Sequence, residues 1–332
     1  MSKYLVLLVI AVISCNPKKS NTEKGLIDIK LLKDIELNIP DMQTAFRTAP
    51  QRFKKYLIYQ DPFNESIIAL NSDFSFNKTL IKKGEAPNEI LNIYSHSITD
   101  EYVFIIGPNV VVVFDESLKL LGKYPFSLDM AYSVIKWNGG FLTAGFNEED
   151  EHFSLYSFDF SRTATSIELV KQLEVESKYI EERMYYSHKL INISNSRFLL
   201  IFDWYGEYFL IDKAYNTIKT DLLPFSGDMD FFLDESVVKP PYYQAYDSYL
   251  FNDSLVFIIR ELDFNEIGQD LSDEEVILKN YRNTISVFNK DMLFLNSIKL
   301  PNAAVNLSVL QDTLITNDFN SEKIYLYEIN IQ

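Results

Sequence analysis

The side chains best suited to move a proton or hold a metal recur in one short pattern. A tyrosine followed by a small or acidic residue appears as Tyr94-Ser95-His96, Tyr132-Ser133-Val134, Tyr186-Ser187-His188 and Tyr246-Asp247-Ser248. Each triplet lies a few residues ahead of an apolar run. Alternation along a strand puts Ser95, Ser133, Ser187 and Asp247 on one side and the two histidines on the other. His96, Ser133, His188 and Asp247 are therefore the candidate lining residues of any space these segments enclose. The imidazoles and the carboxylate are the members able to exchange protons or bind a metal. Packing between repeated elements, with each tyrosine ring wedged inside and its hydroxyl wet, accounts for the same pattern without a ligand.

Other chemistry is sparse. The chain has three histidines, with no His-x-His or His-Glu-x-x-His spacing, no Gly-x-Ser-x-Gly elbow and no phosphate-cradling glycine loop. No catalytic residue, metal-ligand set or cofactor is assigned. Glu148-Glu149-Asp150-Glu151 offers oxygen ligands for calcium but lacks the alternating spacing that folds carboxylates around an ion, so a solvated turn is expected. Two aromatic stretches, Asp203-Trp204-Tyr205 and Lys239-Pro240-Pro241-Tyr242-Tyr243, combine flat rings with polar neighbours. Trp204, Tyr205, Tyr242 and Tyr243 form a candidate surface for stacking on a sugar or gripping a partner, and packing between elements explains them equally well.

The frame that would position these groups is read from repetition. Glu101 to Phe126 runs EYVFIIGPNVVVVFDESLKLLGKYPF: an apolar strand, a Gly-Pro turn, a second apolar strand ending Phe-Asp, a polar turn and a third strand. Five other places repeat this grammar. Their paired strands lie at 56–59 with 67–70, 140–146 with 153–158, 198–202 with 207–211, 255–259 with 284–288, and 314–316 with 324–327. The second strand of each pair closes with an apolar residue and then a polar one, from Leu70-Asn71 and Phe114-Asp115 to Tyr327-Glu328. A shorter strand precedes units two to five, and the four triplets fall within these segments. Six recurrences of a four-stranded unit spell an all-β, six-bladed β-propeller, whose innermost strands surround a central channel. The last unit is one strand short. The alternating segment at 26–37 fits that vacancy as its outer strand, closing the ring. Residues 161–190 and 261–283 interrupt the rhythm. Val170 to Met184 is expected to be helical in part, and Ser272-Asp273-Glu274-Glu275 matches a capping box. Both segments are expected to leave one face of the disc.

Composition agrees with this frame. Twenty-one Tyr and 25 Phe against 10 Gly and 11 Pro favour strands, and a formal net charge of −16 argues against a nucleic-acid partner. At the N-terminus, Lys3 precedes an apolar run from Leu5 to Ile13, too short to span a bilayer, that ends Val12-Ile13-Ser14-Cys15. This ending resembles the lipobox of bacterial lipoproteins. The resemblance implies a signal peptide over 1–14, lipidation of Cys15, a flexible tether over 15–25 and the propeller over 26–332. Leu80 to Leu91, LIKKGEAPNEIL, carries Gly84, Pro87 and Glu89 in an arrangement that resembles the Gly-x-Gly-Pro-x-Glu-Phe connection of the six-bladed, TolB-like and NHL-like propeller lipoproteins of the Bacteroidetes. Ala86 and Ile90 depart from it. The resemblance implies a cell-envelope location. The residues after Cys15 lack the acidic run associated with surface export in that group, which favours the periplasmic side of the outer membrane. Gly84 is suited to a positive φ, and Glu89 to accepting backbone N–H groups in the crossing. The expected function is a binding or scaffolding module for a protein, peptide or glycan. The alternatives are a hydrolase or lyase acting at the channel with a divalent metal, and a structural subunit of an envelope assembly.

Overall fold

In a computed structural model of the protein, the structure describes residues 27–36, 50–61, 65–86, 89–128, 131–147, 152–160, 165–173, 188–203, 206–224, 247–262, 281–310, 312–318 and 323–331. Twenty-five strands fall into six sheets. The chain opens with β1 (Ile27–Glu36). Blade 1 contains β2 (Gln51–Phe53), β3 (Tyr56–Asp61), β4 (Ser66–Asn71), β5 (Phe76–Lys83) and a two-residue β6 (Glu89–Ile90). Blade 2 contains β7 (Ser95–Ile98), β8 (Val103–Gly107), β9 (Val110–Phe114) and β10 (Leu120–Pro125). Blade 3 contains β11 (Val134–Trp137), β12 (Gly140–Asn147), β13 (His152–Phe160) and β14 (Thr165–Gln172). Blade 4 contains β15 (His188–Ser194), β16 (Arg197–Phe202), β17 (Glu207–Asp212) and β18 (Thr217–Leu222). Blade 5 contains β19 (Asp247–Phe251), β20 (Leu255–Leu262), β21 (Tyr281–Asn289) and β22 (Phe294–Lys299). Blade 6 is built from β23 (Ala304–Leu310), β24 (Thr313–Asp318), β25 (Lys323–Ile331) and, from the other end of the chain, β1. The four main strands of each blade pair antiparallel, with β6 added parallel to β5 in blade 1, and the inner strands β2, β7, β11, β15, β19 and β23 neighbour one another in a closed ring, the arrangement of a six-bladed β-propeller.

Closure of the ring follows the sequence reading. β1 pairs antiparallel with β25 from Ile27 opposite Ile331 to Glu36 opposite Lys323, with a bulge at Leu32. The apolar runs also have a clear cause. Six apolar clusters form, one between each pair of adjacent blades. In β8, Phe104 and Ile106 pack toward blade 3 while Val103 and Ile105 pack toward blade 1. A strand buried on both faces reads as a continuous apolar run. Outer strands are mostly exposed, as β18 shows along its length.

The polar residue that closes the third strand of a blade also has a structural role. Asn71, Asp115, Asp212 and Asn289 each accept, through the backbone carbonyl, the N–H of the residue three positions on. Those residues, Phe74, Leu118, Tyr215 and Met292, adopt φ of 68°, 60°, 63° and 56°. Asp115, Asp212 and Asn289 also accept two backbone N–H groups each through Oδ1 at 2.8–3.0 Å. The left-handed backbone tucks Phe74, Leu118 and Met292 into the clusters between blades, where all three are buried. Burial offsets the strain of a positive φ.

One expectation is corrected. Val170 to Gln172, read as the start of a partly helical stretch, complete β14 instead. Ile167 packs against the cluster between blades 2 and 3 and Val170 against that between blades 3 and 4, so the segment covers the open edge of β13 with alternating faces. Residues 174–184 and the capping box at Ser272 lie outside the described residues.

Candidate functional site at the propeller axis

Polar side chains near the axis bridge every one of the six blade junctions. The Gln60 Oε1 of blade 1 lies 3.3 Å from the His96 Nδ1 of blade 2. Between blades 2 and 3, Ser97 Oγ accepts the Val134 N–H at 2.9 Å. Ser133 Oγ, just ahead of β11, accepts the Leu190 N–H of blade 4 at 3.0 Å. Lys189 Nζ of blade 4 is paired with Asp247 Oδ1 of blade 5. Asp247 Oδ2 accepts the Leu307 N–H of blade 6 at 2.7 Å, and its Oδ1 also takes the Ser248 N–H at 2.8 Å. Ser308 Oγ of blade 6 donates to the carbonyl of Pro50, next to β2, which returns the ring to blade 1. The inner strand of each blade has one edge with no further strand to pair, and these links satisfy groups on that edge.

The four candidate lining residues thus divide by role. Ser133 and Asp247 are buried and do the same job, each taking a backbone N–H from the next inner strand. His188 is buried in an aromatic setting, with ring centroids 5.8 Å from Tyr132, 4.9 Å from Phe153 and 6.3 Å from Phe202. His96 faces the axis. Its Nε2 is enclosed without a hydrogen-bond partner among the described residues. Burial pushes its pKa down to about 4, with the nearby Lys189 ammonium adding to the effect and the Asp247 carboxylate opposing it. Groups from blades 2, 4 and 5 therefore share one electrostatic field. At neutral pH His96 is an uncharged imidazole in the field of a lysine–aspartate pair, and with Nδ1–H donating to Gln60 Oε1 its Nε2 is left as an acceptor.

Among the described residues no three His, Cys, Asp or Glu side chains come together as a metal-binding group. Lys189, Ser97, Gln60 and Ser308 belong to the axial ring but were missed in the sequence. Their available signal was weak: each is a polar residue inside, or at the end of, an otherwise apolar strand. Trp204, Tyr205, Tyr242, Tyr243 and Cys15 lie outside the described residues.

The connection after blade 1 takes the form expected of it. Gly84 has φ +150° and donates its N–H to the Ile90 carbonyl at 2.8 Å. Glu89 Oε2 accepts the Ala86 N–H at 2.9 Å. A Cβ on Gly84 would fall 2.0 Å from Glu89 Oε2. Nearby on the rim, a cleft of about 290 Å³ between blades 1 and 2 is flanked by Lys78, Lys119 and Lys123. Lys78 donates to the Leu118 carbonyl at 2.7 Å and Lys123 to that of Glu89.

The connections around the axis are unequal. In an antiparallel blade, the links from second to third strand and from fourth strand to the next blade leave from one face, and the remaining turns from the other. The first face carries the ends of β14, β16, β18 and β20 and the starts of β15, β17, β19 and β21. The two interruptions of the repeat thus begin and end at strand ends on this face, and residues 174–187 and 263–280 themselves lie outside the described residues. The opposite face carries short turns such as those at Asn138, Asn195 and Asn252.

The class that fold and site define is a closed six-bladed propeller with a polar stitched axis. No family model and no curated protein matches the chain. Among solved structures it is similar to a member of the DUF4221 family from Bacteroides vulgatus, at 11% identity over 92% of this chain and 99% of that one, with a TM-score of 0.60. It is also similar to a Bacteroides fragilis protein named as exported (10% identity, 94% and 97% covered, TM-score 0.57). A third neighbour is virginiamycin B lyase from Staphylococcus aureus (11% identity, 91% and 99% covered, TM-score 0.55). At these identities the likeness concerns the propeller fold.

Proposed function

We propose that the chain is a lipid-anchored protein of the cell envelope, held at the outer membrane on its periplasmic side through Cys15. Its propeller acts as a rigid binding or scaffolding module for a protein, peptide or glycan. The observation that carries this reading is the division of labour between axis and faces. Most of the polar groups at the axis are engaged in joining blades, while the strand ends between which the long connections 174–187, 225–246 and 263–280 run all lie on one face of the stitched disc. Rigid scaffolds that present long loops on one side are suited to recognition. The lyase among the structural neighbours keeps a catalytic reading in view for the channel. Here the groups able to support it are His96 and the Lys189–Asp247 pair, and the pair is already occupied.

The test is site-specific photo-crosslinking in native envelopes. A photoreactive amino acid is placed at Asp203 or Pro224 on the long-connection face, and at Asn195 on the short-turn face. One partner captured from the first two positions and not from Asn195 is the expected result. Capture from neither face, or equally from both, refutes the reading. The anchor is tested separately: Cys15→Ser is expected to abolish the acyl mass of the intact protein and to release it from the membrane fraction.

A further inference from the structure

We infer that the rim of blades 5 and 6 lies against a lipid bilayer, so that the disc stands edge-on to the membrane with both loop faces free. This rests on the proposed anchoring through Cys15 and specifies how the anchored propeller sits. The outermost strand of blade 6 carries Lys30-Leu31-Leu32-Lys33, all four exposed, at the bulge where Leu32 is the extra residue opposite β25. A bulge on an edge strand re-aims side chains away from the sheet. Beside it, β22 and its leading turn present Leu293, Phe294 and Leu295, and Ile331 projects opposite Ile27. Asn296 Nδ2 donates to the Ile27 carbonyl at 3.4 Å, which ties the two outer strands together.

These six apolar side chains are 39–57% exposed, and they are six of the fourteen large exposed hydrophobics among the described residues, so this sector of the rim is the most apolar. Two observations identify what covers it. First, leucines flanked by lysines suit the boundary between headgroups and acyl chains, where the aliphatic ends insert and the ammonium groups reach phosphates. Lys30 and Lys33 flank the exposed leucines directly, and the neighbouring Asp34 carboxylate is paired with Lys323 at 2.7 Å. Second, Cys15 precedes Ile27 by twelve residues. A tether of that length extends to at most about 40 Å, so β1 cannot leave the neighbourhood of the membrane that holds its lipid. Tethering raises the effective concentration of bilayer at this patch, and modest apolar contacts are then enough to hold it there.

The experiment uses the mature lipoprotein in vesicles of phosphatidylethanolamine and phosphatidylglycerol, with a nitroxide on a single new cysteine at Leu31→Cys, Phe294→Cys or, on blade 3, Leu169→Cys. Collision with oxygen relative to a water-soluble nickel chelate is expected to rise several-fold at positions 31 and 294 on adding vesicles, and to stay unchanged at 169. Equal behaviour at all three positions overturns the inference. Intact mass reports the anchor independently. If Cys15 proves unmodified, the anchoring reading fails. The patch is then decided by the same labels in a Cys15→Ser background, where protection at 31 and 294 upholds lipid contact and its absence rejects it.

Discussion

If the polar ring at the axis holds the blades together, its most connected member should dominate its energetics. Asp247 joins three blades, binding Lys189 of blade 4 and the Leu307 N–H of blade 6 from its place at the start of β19. Asp247→Ala leaves the Leu307 N–H without its acceptor at a buried position, at a cost of about 1–3 kcal/mol. It also strips the Lys189 ammonium of its partner. That side chain is 25% exposed, so water recovers part of the loss and about 1 kcal/mol is added, well short of the 3–5 typical of a fully buried pair. The sum is about 2–4 kcal/mol, or a melting temperature lower by about 4–8 °C for a chain of this size. Asp247→Asn keeps one acceptor for Leu307 and should lose about half as much. Adding Lys189→Met to Asp247→Ala should recover the part of the loss due to the stranded charge, about 1 kcal/mol, while the Leu307 N–H stays without its acceptor, so the double-mutant cycle is non-additive. Differential scanning calorimetry of the five proteins, the parent, Asp247→Ala, Asp247→Asn, Lys189→Met and the double mutant, reads all of this. A melting point for Asp247→Ala within about 1 °C of the parent, or strict additivity with Lys189→Met, refutes the stitching role.

Three further outcomes follow from the geometry. Gly84→Ala meets both a φ of +150° and a Cβ 2.0 Å from Glu89 Oε2, so it should destabilise, and Glu89→Ala in the same chain should relieve the clash but not the backbone strain; urea titrations decide. His96 has a folded pKa of about 4 against about 6.5 when unfolded, so the unfolded chain binds the extra proton first. Stability is therefore full above pH 6.5 and falls toward pH 4 by up to about 1.4 kcal/mol per unit, a slope that His96→Gln should remove in urea titrations at pH 7 and 5. Deleting residues 1–36 removes β1 and exposes the edge of β25 with Tyr327 and Ile329, and the truncated chain should aggregate on size-exclusion chromatography where the full chain does not.

Repetition made the blades legible because the middle strands, such as β8, β9, β16 and β17, are packed on both sides. Val103 to Ile106 reads as unbroken apolar sequence since alternate residues serve different blade junctions. The closing polar residue was legible as a pattern, but its cause was not: Asn71, Asp115, Asp212 and Asn289 cap turns whose residue three positions on takes a positive φ, buried at Phe74, Leu118 and Met292 and half-buried at Tyr215. Glu328 shares the pattern without the turn, for β25 runs on past it to Ile331. β2 escaped notice because three residues are too few to show alternation, and β14 because its bulge breaks the period of two that marks a strand.

The axial residues were legible as residues and illegible as roles, for a physical reason. A propeller leaves one edge of each inner strand unpaired, and any buried edge must find donors and acceptors. The same positions would supply the groups of a channel site if a ligand were bound there. Serine and aspartate at Ser133 and Asp247 therefore satisfy either demand, and composition cannot separate them. What separates them is the identity of the partner. Both reach a backbone N–H of the next blade, which makes them fasteners, whereas His96 keeps an enclosed Nε2 turned away from such a partner. If the axis of this protein does hold a small ligand, the other five junctions keep their own links and blades 1 and 2 keep their apolar cluster, so replacing His96 removes only its side-chain contact with Gln60 and would weaken binding without opening a junction made by backbone hydrogen bonds.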